Sequence, residues 1–328
     1  MKPISKYIYE AFRINSKTRL ERTEVNTVGD LRQIIQEKIK KCKDSNNTKL
    51  DLSFLNFTDD FIDSTNKQFP YLLTEYLLNE KGITTLDVSG WNLEEFESID
   101  GLFRNCNYIE KIIGLHTLRL SNVYSAKEIF ANCPRLDYSC VKNLNVKGIK
   151  NLCGAFSHNT FTDLNFLSNW DMSECEDIAG MFLYCRHLTN MDGIKNWNVS
   201  SLKNNFNSAI LGINNLFRYC TSLTDIDLSN WTLGKDLIWV NEIFQDCYKL
   251  KSVKMFKATG TIIQAKFLFS DCEELERIEN IENLNISNNV DCESMFYHCK
   301  KLSIDLRHWN LKATGSKTIK TGANKVKI

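Results

Sequence analysis

The sequence lacks a strong charge of either sign. Its 41 lysines and arginines against 40 aspartates and glutamates leave a formal charge of +1. Phosphate binding needs a concentrated positive footprint, so nucleic acid is not expected as a partner. The sequence also lacks any apolar run near the roughly 18 residues of a membrane span, so no membrane insertion is expected. Lys2, Lys6, Glu10 and Arg13 interrupt every window where a secretory signal core would sit. The expectation is an intracellular or particle-associated chain. Cysteine is plentiful, at twelve, but no Cys-x-x-Cys pair occurs, which removes the strongest structural-zinc signature. Histidine is scarce, with only His116, His158, His187, His298 and His308. No Gly-x-Ser-x-Gly, His-Glu-x-x-His, P-loop or dinucleotide-binding glycine pattern is present. These absences argue against an enzyme, a cofactor or a metal.

What is present is a soluble composition, 43 % apolar and 25 % charged over 328 residues, and a repeat. Its anchor is an apolar residue followed by Phe, two residues, Cys, two residues and an apolar residue. Copies are Leu102-Phe103, Cys106, Ile109; Ile129-Phe130, Cys133, Leu136; Met181-Phe182, Cys185, Leu188; and Leu216-Phe217, Cys220, Leu223. Ile243-Phe244, Cys247, Leu250; Leu268-Phe269, Cys272, Leu275; and Met295-Phe296, Cys299, Leu302 follow. A degenerate copy has Phe156 with Asn159 in the cysteine position. Successive Phe spacings are 27, 26, 26, 35, 27, 25 and 27.

A second element alternates with the anchor: Leu86-Asp-Val-Ser-Gly-Trp91, Ile226-Asp-Leu-Ser-Asn-Trp231 and Ile304-Asp-Leu-Arg-His-Trp309. Weaker versions surround Trp170, Trp197, Leu118, Leu144, Val253 and Leu284. Apolar–polar alternation predicts a short strand with one buried face. The anchor's apolar spacing predicts one or two turns of helix or 3₁₀-helix. One such unit cannot bury its own apolar face, so the units must stack into a single elongated solenoid. The fixed cysteine site reads as a ladder of small, reduced, buried side chains. Rung-to-rung disulfides are disfavoured, because stacked Cβ vectors run parallel where a disulfide needs them to converge. Trp reads as core packing at the strand exit.

These motifs carry a resemblance. The stretch Ser168–Met172 with Met181-Phe182, Cys185 and Leu188 is similar to the BspA-like leucine-rich-repeat family of bacterial surface proteins. That family's repeat is also catalogued as a domain of unknown function in mycoplasmas, gut bacteria and their viruses. The segments Ile4–Thr18 and Asp30–Ile39 resemble the start of repeat proteins encoded by bacteriophages. The resemblance covers about residues 83–311 and implies an α/β, leucine-rich-repeat-like solenoid of eight to nine stacked 25–27-residue units. It implies a bacteriophage-encoded protein of the host cytoplasm or the virion, an interaction role and no catalytic residues.

Residues 1–80 are expected to form a helical N-terminal segment and cap, residues 81–311 the solenoid, and residues 312–328 a basic tail or closing strand. Ile4, Tyr7, Ile8, Ala11 and Phe12 share one helical face, as do Leu31, Ile34, Ile35 and Ile39, and a third helix is expected around Tyr71–Leu78. The capping role is expected of the segment after the first of these helices, and the first helix itself reads alternatively as a docking or packaging tag. The spacing of 35 marks an insertion of about eight residues carrying Phe206, Ile210, Leu211 and Ile213, either a binding loop or a helix packed on the coil. The expected function is protein–protein interaction through outward strand positions forming a polar column: Asp87, Arg119, Asn145, Asn165, Asp192, Asp227, Lys254, Asn285 and Asp305, with Phe206 as an apolar anchor. The alternative is a structural or accessory component of a phage particle.

Overall fold

The structure, a computed structural model, describes residues 22–69, 71–204, 210–309, 311, 319, 322–323 and 325–328. The chain winds as a right-through stack of about nine coils, each adding one rung to several parallel ladders. On the first ladder Lys49–Asp51, Thr85–Asp87 and Lys111–Ile113 pair in parallel, as do Asp225–Asp227, Ser252–Lys254 and Arg277–Glu279. Lys325–Lys327 closes this ladder on Ser303–Asp305. A second ladder joins Asn92 to Arg119, and Thr232–Leu233 to Lys257–Ala258. A third runs through Gln68, Ser98, Ser125, Asn151 and Asp177.

The anchor is not helical. It is a strip of tight turns in which alternate backbone N–H groups have different destinations. In the coil of Phe103, the N–H groups of Ile99, Gly101, Phe103 and Asn105 donate to the carbonyls of Ser125, Lys127, Ile129 and Ala131 in the next coil. The N–H groups of Leu102 and Arg104 donate back to Ile99 and Gly101. Such alternation needs left-handed residues, and each coil supplies two, four positions apart. A helix would have turned every N–H back into its own coil. The inter-coil bonds satisfy the backbone while joining neighbours, which is why the strip prevails over the helical spacing.

Side chains repeat the same logic. The eight anchor phenylalanines stack in a column from Phe103 to Phe296, with ring centroids 5.2 to 6.2 Å apart and planes within 14° of parallel. Those separations exceed the roughly 4.8 Å rise per rung, so the rings are offset, the favourable arrangement for aromatic quadrupoles. Cysteine is more than a small filler. The thiols of Cys133, Cys185, Cys220, Cys247, Cys272 and Cys299 donate to the carbonyl of the Phe one coil earlier, at 2.9 to 3.2 Å. Asn159 explains itself here, because its amide donates to the Phe130 carbonyl at 2.8 Å. Trp91, Trp170, Trp197 and Trp231 are buried, and their indole N–H groups donate to carbonyls of the preceding coil at 2.8 to 3.4 Å.

The N-terminal end of such a stack offers carbonyls with no earlier coil to satisfy them. Helix α1 (Val28–Asp44) opens with a capping box between Thr27 and Asp30 and buries Leu31, Ile35, Ile39 and Cys42. Helices α2 (Asp59–Ser64) and α3 (Leu72–Leu77) follow. Before the first coil, the Phe69 N–H donates to Ser98 and the Thr74 hydroxyl to Arg104, occupying two of the carbonyls a preceding coil would have reached. Phe57, Phe61, Phe69, Phe96 and Trp91 seal the join. The helix expected at Ile4–Phe12 lies outside the described residues. No described helix is long and apolar enough to cross a membrane.

The thiol ladder makes stability sensitive to alkali. Burial raises the anchor thiols above their ordinary 9.0, Cys185 to about 12. A group raised on folding contributes stability that is fully present below its unfolded value and is lost as pH rises toward the folded one. Above pH 9 each such thiol therefore removes about 1.4 kcal/mol per pH unit. The melting temperature is expected to fall steeply between pH 9 and 10.5, and less steeply in Cys185→Val. A flat profile would contradict the ladder.

Candidate functional site

The two left-handed positions of each coil set the surface of the tight-turn strip. The first is occupied, in order, by Gly101, Glu128, Gly154, Gly180, Asn215, Glu242, Phe267 and Ser294. The second is occupied by Asn105, Asn132, His158, Tyr184, Tyr219, Asp246, Asp271 and His298. Asn and Gly accept this conformation readily, whereas bulky L-residues resist it by about 1–2 kcal/mol. In the third and fourth coils glycine holds the first position and an aromatic ring the second.

That exchange opens a groove of about 590 Å³. Its floor is Gly154, Gly180, Ala131, Ser157 and Ala179, so the backbone lies bare, whereas the glycine at the same position of the first coil, Gly101, is covered by the Tyr71 ring. Both ends are closed by the same device. Arg104 pairs with Glu128 of the next coil, and Arg218 with Glu242. Arg218 also lies 3.7 Å from Asp246. Four rungs of roughly 4.8 Å separate the two arginines, a span of about 19 Å, the reach of about six extended residues.

One wall is an aromatic ridge. His158 stacks on Tyr184 at 4.7 Å, and Tyr184 on Tyr219 at 4.3 Å and 7°. Leu183 and Leu211 add apolar surface, Leu211 being 38 % exposed. Beyond the ridge is a second hollow of about 340 Å³, lined by Asn132, His158, Asn159, Thr160, Tyr184, Arg186 and His187. Burial holds His158 below the usual histidine range, with Arg104 and Arg186 pushing the same way against Glu128. At the other end the Asp246 carboxylate raises Tyr219, and burial raises Asp246 itself.

The sequence-derived column is dispersed. Asp87, Asp227, Lys254 and Asp305 share the first ladder, whereas Asn165 and Asp192 lie just past it, opening 3₁₀ turns. Arg119 is on the second ladder, and Asn145 makes the same turn there as Asn92. Asn285 ends a 3₁₀ turn, with its amide on the Gly260 carbonyl. Phe206 lies outside the described residues. Nor are the ladder acids idle outward groups. Asp87, Asp227 and Asp305 accept the N–H two residues on and thereby fold the corner. Asp87 is buried and pairs with Lys49 at 2.7 Å. The groove residues are hidden in the sequence because the anchor's apolar spacing also fits a helix, which has no left-handed positions. Gly-x-Phe-x-His158 and Gly-x-Phe-x-Tyr184 against Asn105 and Asn132 were the available signal.

The family model described as "Mycoplasma protein of unknown function, DUF285" matches residues 75–138, 97–211 and 211–326. The chain belongs to this family. Solved structures it is similar to include a leucine-rich repeat protein from Bacteroides ovatus, 16 % identical over 69 % of this chain and 67 % of that one, TM-score 0.25. A leucine rich cell surface protein from Faecalibacterium prausnitzii is 15 % identical over 73 % and 70 %, TM-score 0.29. No curated protein matches the chain.

The left-handed position gives a direct test of the site's backbone. Tyr184→Asn removes a half-buried ring yet suits the conformation, so its stability is expected within about 1 kcal/mol of the native chain. Tyr184→Val, β-branched, is expected to fall about 2 kcal/mol lower still in urea unfolding. Equal losses would show that the conformation at residue 184 is not what limits the choice.

Proposed function

We propose that this chain is a non-enzymatic protein-interaction module and that the groove of the tight-turn strip is its contact surface. The observation that carries the reading is the concentration of tyrosine, histidine, arginine and leucine around a bare backbone floor. Tyr and Arg dominate the energetics of protein interfaces, and a concave centre excludes water from them. Four of the five floor residues are glycine or alanine, so the floor offers shape. The strand ladder is a weaker candidate because its charges already answer one another, Lys49 with Asp87 and Lys254 with Asp227 at 3.4 Å.

A random-peptide display library panned on the purified full chain tests this. The native chain is expected to enrich a peptide family. The Tyr184→Asn, Tyr219→Asn double variant is expected to lose that enrichment with its fold intact by circular dichroism. Asp227→Lys is expected to keep it. Enrichment that survives the tyrosine changes and vanishes with Asp227→Lys would move the binding surface to the strand ladder.

A further inference from the structure

Among the described residues, Arg32, Arg104, Arg119, Arg218, Arg277 and Arg307 each contact a carboxylate, and Arg218 also lies over the Tyr219 ring. Arg135 and Arg186 have no carboxylate partner among the described residues and lie instead over tyrosine rings, Arg186 at 5.4 Å from Tyr184 and Arg135 at 5.1 Å from Tyr108. Arg186 is exposed, stands beside exposed His187, and lines the hollow behind the ridge, whose lining contains no acid. The acid nearest in the groove, Glu128, is taken by Arg104. A guanidinium held against a ring is oriented in advance and keeps its donor edge open for an anion.

We propose that the groove receives an acidic segment of a partner protein, with a partner carboxylate seated in the hollow against Arg186 and His187. This rests on the reading of the groove as a protein-binding surface. The segment runs along the stack over the glycine floor, and one acidic side chain crosses the His158–Tyr184 ridge. Polarity follows from the same strip: Asp246 and Asp271 occupy the ridge positions beyond Tyr219 and repel an acidic chain there, which confines it to the third to fifth coils. Single-stranded nucleic acid, the other anionic polymer, fits poorly. Base binding uses open aromatic faces, and the ridge rings are stacked on one another at 4.3 and 4.7 Å.

Fluorescence anisotropy on the full chain decides the matter, with labelled hexaglutamate, hexaserine and a six-nucleotide oligothymidylate as probes. Hexaglutamate is expected to bind at least about tenfold more tightly than either other probe, and to weaken with added salt. Arg186→Gln is expected to weaken it by about tenfold, while Lys254→Gln, which removes the same charge from the strand ladder, leaves it unchanged. Arg186 is exposed, so its loss does not threaten the fold. Equal losses in the two variants, equal binding of hexaserine, or tighter binding of the oligothymidylate would overturn the proposal. Tyrosine-dependent capture of neutral library peptides without hexaglutamate binding would also overturn it, and would leave the groove reading standing.

Discussion

Everything in this molecule depends on the backbone N–H of the anchor phenylalanine reaching the carbonyl of the next coil. From Phe103 to Phe269 that bond is 2.9 to 3.1 Å long at every rung. It fixes the register of neighbouring coils, brings the rings into one column, and presents the Phe carbonyl to the thiol or amide of the next rung. It also requires the two left-handed residues per coil whose side chains make the surface. Fold and site are thus consequences of one backbone choice.

The coiled stack was legible in the sequence because its cause is periodic. A Phe and a Cys every 25 to 27 residues cannot be buried except by stacking, and the tryptophans mark the corners. The details of the strip were not legible. Apolar residues at positions 1, 2, 5 and 8 satisfy a helix and a set of alternating turns equally well, since both point those side chains inward. Only residues tolerant of positive φ separate the two, and here the clue is blurred by Glu128, Tyr184, Tyr219 and Phe267, which occupy left-handed positions without favouring them.

The same blurring accounts for the candidate site. Alternating strands drew attention to Asp87, Asp227 and Asp305, whose recurrence comes from corner turns that they cap. Recurrence in a solenoid marks what every coil needs. A binding site is what some coils have and others lack, and the third to fifth coils differ from their neighbours by glycine and aromatic residues in the strip. Arg104–Glu128 and Arg218–Glu242 recur only at the ends of that stretch, where they frame it.

The cap follows from the direction of the strip. Within the strip the inter-coil N–H groups point toward the C-terminus, so its N-terminal end is a row of carbonyls that needs donors, and the Phe69 amide and the Thr74 hydroxyl supply two of them. The central claim, that the tight-turn strip and not the short strand ladder is the spine of the stack, is tested most directly by residue-resolved amide hydrogen exchange. The N–H groups of Phe130, Phe156, Phe182, Phe217 and Phe244 are predicted to exchange only through global unfolding and to be among the slowest in the chain. Exchange of these five amides well before those of strand Ser252–Lys254 would contradict the account.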